Sequence, residues 1–201
     1  MKFYTLAKNV AYWCYATITL TVTASIAIVV LTAASPSSGP AKAKLVFTAD
    51  GKLRQPKGYR EWVYVGTPLT PNELNPPEAP FPEFHNVYIH PADFAAYKTT
   101  GNFPDGTVLV KELVGVGSKQ ATSGRGYFMG EFIGLEVAVK DSRRFPDDPG
   151  YWAYFSFGHK YPLATETAKQ PVASCNSCHG ANADQDYVFT QYYPVLRAVK
   201  K

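Results

Sequence analysis

The chain contains three cysteines, and two of them fall in the run Cys175-Asn176-Ser177-Cys178-His179. Thiols at this spacing lie on one side of a helical turn, where they can form thioethers to two vinyl groups on one edge of a porphyrin, and the adjoining imidazole can take its iron. Such linkage holds a cofactor without a large apolar burial, so the fold need supply only a short helix for the motif and a wall facing it. A redox dithiol or half of a structural zinc site is the alternative use of the same residues. A zinc site would want a second Cys/His pair, yet the remaining cysteine is Cys14, close to the N-terminus. A dithiol gives His179 no part. The expected cofactor is therefore a c-type haem, with Cys175 and Cys178 as thioether donors and His179 as axial iron ligand.

The first residues set the compartment. Lys2 and Lys8 precede a stretch without charge from Asn9 to Gly39, with an apolar centre at Ala24 to Leu31 and the small-residue pattern Ala41-Lys42-Ala43 after it. This is the organisation of an export signal, expected to span residues 1–43 and to leave a domain over 44–201; an uncleaved membrane anchor is the alternative. Covalent haem attachment outside the cytoplasm agrees with a periplasmic location. Without Lys2, Lys8 and Lys42 the formal charge drops from +4 to +1. That balance argues against a nucleic-acid partner, as does the lack of any basic cluster denser than Arg143-Arg144.

Strand signals outnumber helix signals. Residues 62–65, 87–89, 108–116, 135–140 and 152–157 are β-branched and aromatic runs separated by Gly, Pro, Asn and Asp. They predict a mainly β (α+β) fold: a five-stranded antiparallel sheet with a few short helices, the haem motif on a C-terminal helix. Pro91 and Gly101 punctuate one short helix over 91–98. A further helix is expected over 186–196, ending or kinking at Pro194. Long segments of 3.6 periodicity, which a four-helix-bundle cytochrome needs, are missing. Met129, the one methionine after the signal, is expected to pack among aromatics rather than to ligate iron. The iron should thus have one strong protein ligand and an open distal position, which suits small-molecule binding or chemistry.

Several stretches carry a likeness to a known family: 59–63 with Val65-Gly66-Thr67, 70–75, Asp105-Gly106-Thr107-Val108, 110–114, 126–130, Ile133-Gly134-Leu135-Glu136, and Val188-Phe189-Thr190 before 193–197. Over roughly Asp50 to Arg197 the chain resembles the cytochrome P-460 family of periplasmic mono-haem proteins, related to the β-sheet type of cytochrome c prime. The resemblance implies a homodimer, oxidation of hydroxylamine to nitrous oxide or nitric oxide, a redox partner cytochrome, and a second covalent tie from a lysine to the macrocycle that falls on Lys111. On pattern alone Lys111 shares a strand face with Leu109 and Leu113, while Val108, Val110, Glu112 and Val114 form the other. A lysine on a strand is usually solvated; in an apolar pocket, desolvation would favour its neutral, nucleophilic form.

On the distal side the resemblance places His85 where a characterised branch has arginine, and Gln170 where it has glutamate. Gln170 can hydrogen-bond but cannot take a proton, and Glu166 is near enough in sequence to substitute as the base. Phe81, Phe84, Phe103 and Phe128 are candidates for an apolar distal wall. Two functions stay open: a hydroxylamine-oxidising enzyme with a lysine-modified haem, and a nitric oxide or carbon monoxide binding protein without the cross-link.

Overall fold

The computed structural model describes residues 41–200, with side-chain detail to Val199. Of the expected signal segment 1–43, residues 1–40, including Cys14, lie outside the described residues. In chain order the elements are β1 (Leu53–Arg54), β2 (Val63–Gly66), β3 (Phe84–Ile89), α1 (Pro91–Thr100), β4 (Val108–Val116), β5 (Gln120–Ala121), β6 (Gly124–Arg125), β7 (Met129–Lys140), β8 (Trp152–Ser156), β9 (Glu166–Thr167), α2 (Asn176–Asn182) and α3 (Pro194–Arg197), with short 3-10 turns between.

Five strands form one antiparallel sheet in the order β2-β3-β4-β7-β8, the architecture the alternating runs predict. β5 and β6 make a small hairpin, and β1 pairs with β9 at the side. Alternation along β4 sorts two cores. One face carries Val108 and Val110, packed with Val137, Val139, Phe155, Phe157 and Tyr59, and covered by Leu45 and Phe47. The other carries Leu109 with Val87, Ile89, Trp152 and Tyr154, and is covered by α1 and the C-terminal segment through Tyr97, Val188, Tyr193 and Leu196. Burial of such apolar surface on both faces is the main stabilising force of a sheet of this kind.

α1 begins as its sequence dictates. His90 caps it by accepting the Ala92 N–H at Nδ1, Pro91 occupies the first turn, and Gly101 ends it with φ 70°. The segment after α2 differs from expectation. Residues 186–189 are not helical: Asp186 and Tyr187 have φ of 45° and 60°, and Thr190–Tyr192 is a 3-10 turn. Pro194 starts α3 instead of ending a helix, because proline lacks the N–H that a first turn leaves unpaired anyway.

Candidate haem site

The C-terminal segment closes a cleft against the sheet. Its walls include Val87, Leu109, Lys111, Glu136, Tyr154, Gln170, Cys175, His179, Phe189 and Tyr193. The lining is largely apolar with a few convergent polar groups, the make-up of a cofactor pocket. Cys175 caps α2, and Asn176 fastens the helix to the sheet by donating to the Trp152 carbonyl at 2.7 Å. Cys178, one turn on, is exposed, and neither thiol is in a disulfide.

His179 has a defined tautomer. Its Nδ1 lies 2.8 Å from the Tyr187 carbonyl oxygen, which can only accept, so Nδ1 carries the proton and Nε2 is the bare nitrogen suited to a metal. Burial lowers its pKa, against the pull of the Tyr187 carbonyl, and so favours the neutral, ligating form. Tyr154 and Phe189 flank the ring, with centroids at 4.4 and 4.7 Å. The carbonyl itself is positioned from several sides. Asp186 binds Lys140 Nζ at 2.6 Å and accepts from Trp152 Nε1 at 3.3 Å, while the Tyr154 hydroxyl donates to the Tyr187 carbonyl at 3.3 Å.

These residues fit a covalently held haem: two free thiols three apart, a neighbouring imidazole held in the ligating tautomer, and a largely apolar cleft beside them. Burial raises the pKa of Cys175, the reverse of the activation a redox dithiol needs. Among the described residues no group of three or more His, Cys, Asp or Glu side chains is arranged to hold a metal ion.

Lys111 lines the same cleft as Cys175 and His179. Its surroundings are not purely apolar, as the alternation around it suggested. β4 and β7 set Lys111 opposite Glu136, and Nζ lies 2.5 Å from Oε2. The Phe81 ring is 5.2 Å from Nζ. Burial pushes the Glu136 carboxyl up, but the hydrogen bond from His159 and the Lys111 charge outweigh it and hold the pKa at about 2. His159 Nε2 is 2.9 Å from Glu136 Oε1 and its own pKa is raised by that bond. No sequence motif marks Glu136 or His159 as a site residue. Glu136 sits in an alternating strand like any solvent-face residue, and only the strand register brings it to Lys111.

Gln170 is brought to the cleft wall, held by its N–H to the Tyr154 carbonyl at 2.7 Å. His85 lies on the cleft-side face of β3, two residues before Val87, but does not line the cleft. Its Nε2 lies 3.9 Å from Glu83 Oε1 and is buried without a hydrogen-bond partner, and burial drives its pKa to about 4. Glu166 is elsewhere. It belongs to β9, opposite Arg54, and faces Lys52 and Arg54 at 3.8 and 3.9 Å, because pairing of β9 with β1 holds it away from the cleft that Gln170 lines.

The aromatic wall is also not the expected one. Phe84 alternates to the opposite sheet face, Phe103 stacks on Tyr97 beneath α1, Phe128 is half-buried in the β5–β6 region, and only Phe81 approaches the polar end of the cleft. Tyr154, Phe189 and Tyr193 supply the wall instead. Met129 is 51% exposed, and its sulfur meets the Asn86 amide on the face of β3 that points away from the cleft. It is neither packed among aromatics nor near His179.

No individually curated protein matches the sequence. The family described as Cytochrome P460 matches residues 56–190, a span that takes in every strand of the main sheet, Lys111, Gln170 and the haem-binding motif. With that match over most of its length, a cleft suited to a c-type haem and the five-stranded sheet that forms it, the chain belongs to the cytochrome P460 family.

Proposed function

We propose that this chain is an exported mono-haem enzyme that oxidises hydroxylamine to nitrous oxide or nitric oxide in the periplasm. Cys175 and Cys178 hold the haem, His179 ligates its iron, and Lys111 is tied to the macrocycle. The observation that carries the reading is that Lys111, Cys175 and His179 line one cleft. A haem held there by Cys175, Cys178 and His179 would supply the redox chemistry, and a redox partner cytochrome would collect the electrons.

The chain's own residues then do the rest. The Tyr187 carbonyl keeps His179 in the ligating tautomer. Tyr154, Phe189 and Tyr193 keep water from one side of the cleft. The Gln170 side chain offers a hydrogen bond to a nitrogen–oxygen substrate without removing its proton. As in the family reading of the sequence, the working unit is a homodimer.

A second reading is favoured by one contact. Glu136 Oε2 lies 2.5 Å from Lys111 Nζ, and a nitrogen engaged in an ion pair is not free to attack the macrocycle. In that case the cross-link does not form and the protein binds nitric oxide or carbon monoxide. The ferrous absorption spectrum separates the two. A band far to the red of an ordinary c-haem, lost in Lys111→Met and Lys111→Leu, supports the cross-linked enzyme. An ordinary spectrum from fully matured protein removes it, and hydroxylamine turnover with an artificial electron acceptor decides the activity.

A further inference from the structure

The turn that carries the Tyr187 carbonyl is built against its own sequence. Gln185 and Val188 exchange backbone hydrogen bonds, at 2.7 Å from the Val188 N–H and 3.4 Å from the Gln185 N–H, and between them Asp186 and Tyr187 have φ of 45° and 60°. A two-residue turn with positive φ at both central positions favours Asn-Gly, because a larger side chain crowds the backbone there. Tyrosine in the second position is strained, and such a residue persists only where its surroundings hold it.

The hold comes from the sheet. Lys140, the last residue of β7, is the register partner of Trp152, the first of β8. Lys140 Nζ lies 2.6 Å from Asp186 Oδ2 and donates to the Phe103 carbonyl at 3.1 Å, while Trp152 Nε1 donates to Asp186 Oδ1 at 3.3 Å. Both carboxylate oxygens are thus tied to paired strands. The Lys140 and Asp186 side chains are largely shielded from water, and neither lines the cleft. We infer that Lys140 and Asp186 are positioning residues for the axial iron ligand: the pair holds the 185–188 turn in its strained form, and the turn aims the Tyr187 carbonyl at His179 Nδ1. The inference needs His179 as the iron ligand and does not depend on which substrate is oxidised. An acceptor on Nδ1 makes the imidazole more basic at Nε2, which strengthens its hold on iron and favours the ferric state. When the turn relaxes, the acceptor moves away and both effects are lost.

Two readings on the holoprotein test this. Resonance Raman of the ferrous protein reads the iron–His179 stretching band, and a spectroelectrochemical titration reads the reduction potential. Lys140→Met combined with Asp186→Ala removes one charge of each sign, so the net charge is kept and a change reports the turn. In that double variant the band should fall in frequency, and the ferrous-to-ferric ratio at a fixed potential should rise about tenfold, an upward shift of about 59 mV for one electron. Lys140→Arg keeps the ion pair and should stay with the wild type in both readings. A double variant with the wild-type band and potential, or one that Lys140→Arg matches, overturns the positioning role and leaves His179 as the ligand. Should the double variant not fold, Lys140→Met alone is read by the band, and a wild-type band there overturns the inference. A wild type without an iron–His band overturns the ligand assignment, and the positioning role with it.

Discussion

Lys111 Nζ sits 2.5 Å from Glu136 Oε2, across a register pair of two neighbouring strands, at the wall of the cleft that also holds Cys175 and His179. The pair makes the protein acid-sensitive in a defined window. Glu136 has its pKa lowered from the ordinary 4.5 to about 2, so its contribution is complete above pH 4.5 and is lost as pH falls through 2. The size is at most about 3 kcal/mol. His85, lowered from 6.5 to about 4, adds a loss of the same sign that begins below pH 6.5. His159 acts oppositely: its raised pKa gives stability that is present below pH 6.5 and lost as pH rises through the folded value. Thermal unfolding against pH should therefore show Glu136→Gln flatter than the wild type below pH 4.5. Parallel curves there would contradict the assignment.

Gln170→Glu introduces an ionisable carboxyl on the cleft wall. If the enzyme reading holds, steady-state hydroxylamine turnover rises, by about tenfold or more when the new group is correctly placed to take a proton. Unchanged turnover with unchanged substrate affinity would show that Gln170 does not meet the substrate.

Gly180 in α2 faces the Tyr187 ring so closely that an added Cβ would lie 2.8 Å from it, and Gly150 crowds the same ring from the other side at 2.6 Å. Gly180→Ala would normally strengthen a helix by about 1 kcal/mol. Here overpacking of about 1–3 kcal/mol opposes that gain. The expected result is a lower melting temperature together with a shifted reduction potential, because moving Tyr187 moves the carbonyl that orients His179. A higher melting temperature would contradict the packing.

On the opposite sheet face Glu112 is 1% exposed and takes the Tyr59 hydroxyl at 2.6 Å, with the Arg60 guanidinium on the same oxygen. Burial raises the Tyr59 pKa, with the Glu112 bond adding to it, so Tyr59 remains the donor. Tyr59→Phe should cost about 1 kcal/mol in denaturant unfolding and Glu112→Ala about 3 kcal/mol, since the second leaves a buried hydroxyl without an acceptor. Equal small losses would mean that solvent reaches the site.

Much of this architecture is legible in the sequence because it depends on local patterning. Alternation along 108–116 gives both faces of β4, and Pro91 and Gly101 bracket α1. The motif at 175–179 announces its chemistry by spacing alone. Other features depend on pairings between distant segments. Glu136 meets Lys111 only through strand register, and His159 reaches Glu136 only because β8 ends beside it. Glu166 and Gln170 are neighbours in sequence, yet β9 turns one toward Arg54 while the next residues turn the other to the cleft. Pro194 can end a helix or begin one, and its own residue type does not decide which.

Mass spectrometry of the proteolysed holoprotein tests the central claim most directly. The account predicts a haem-bearing peptide containing Cys175 and Cys178, both as thioethers, joined under the enzyme reading to a second peptide through Lys111. Peptides with free or disulfide-bonded Cys175 and Cys178 and no porphyrin would contradict it.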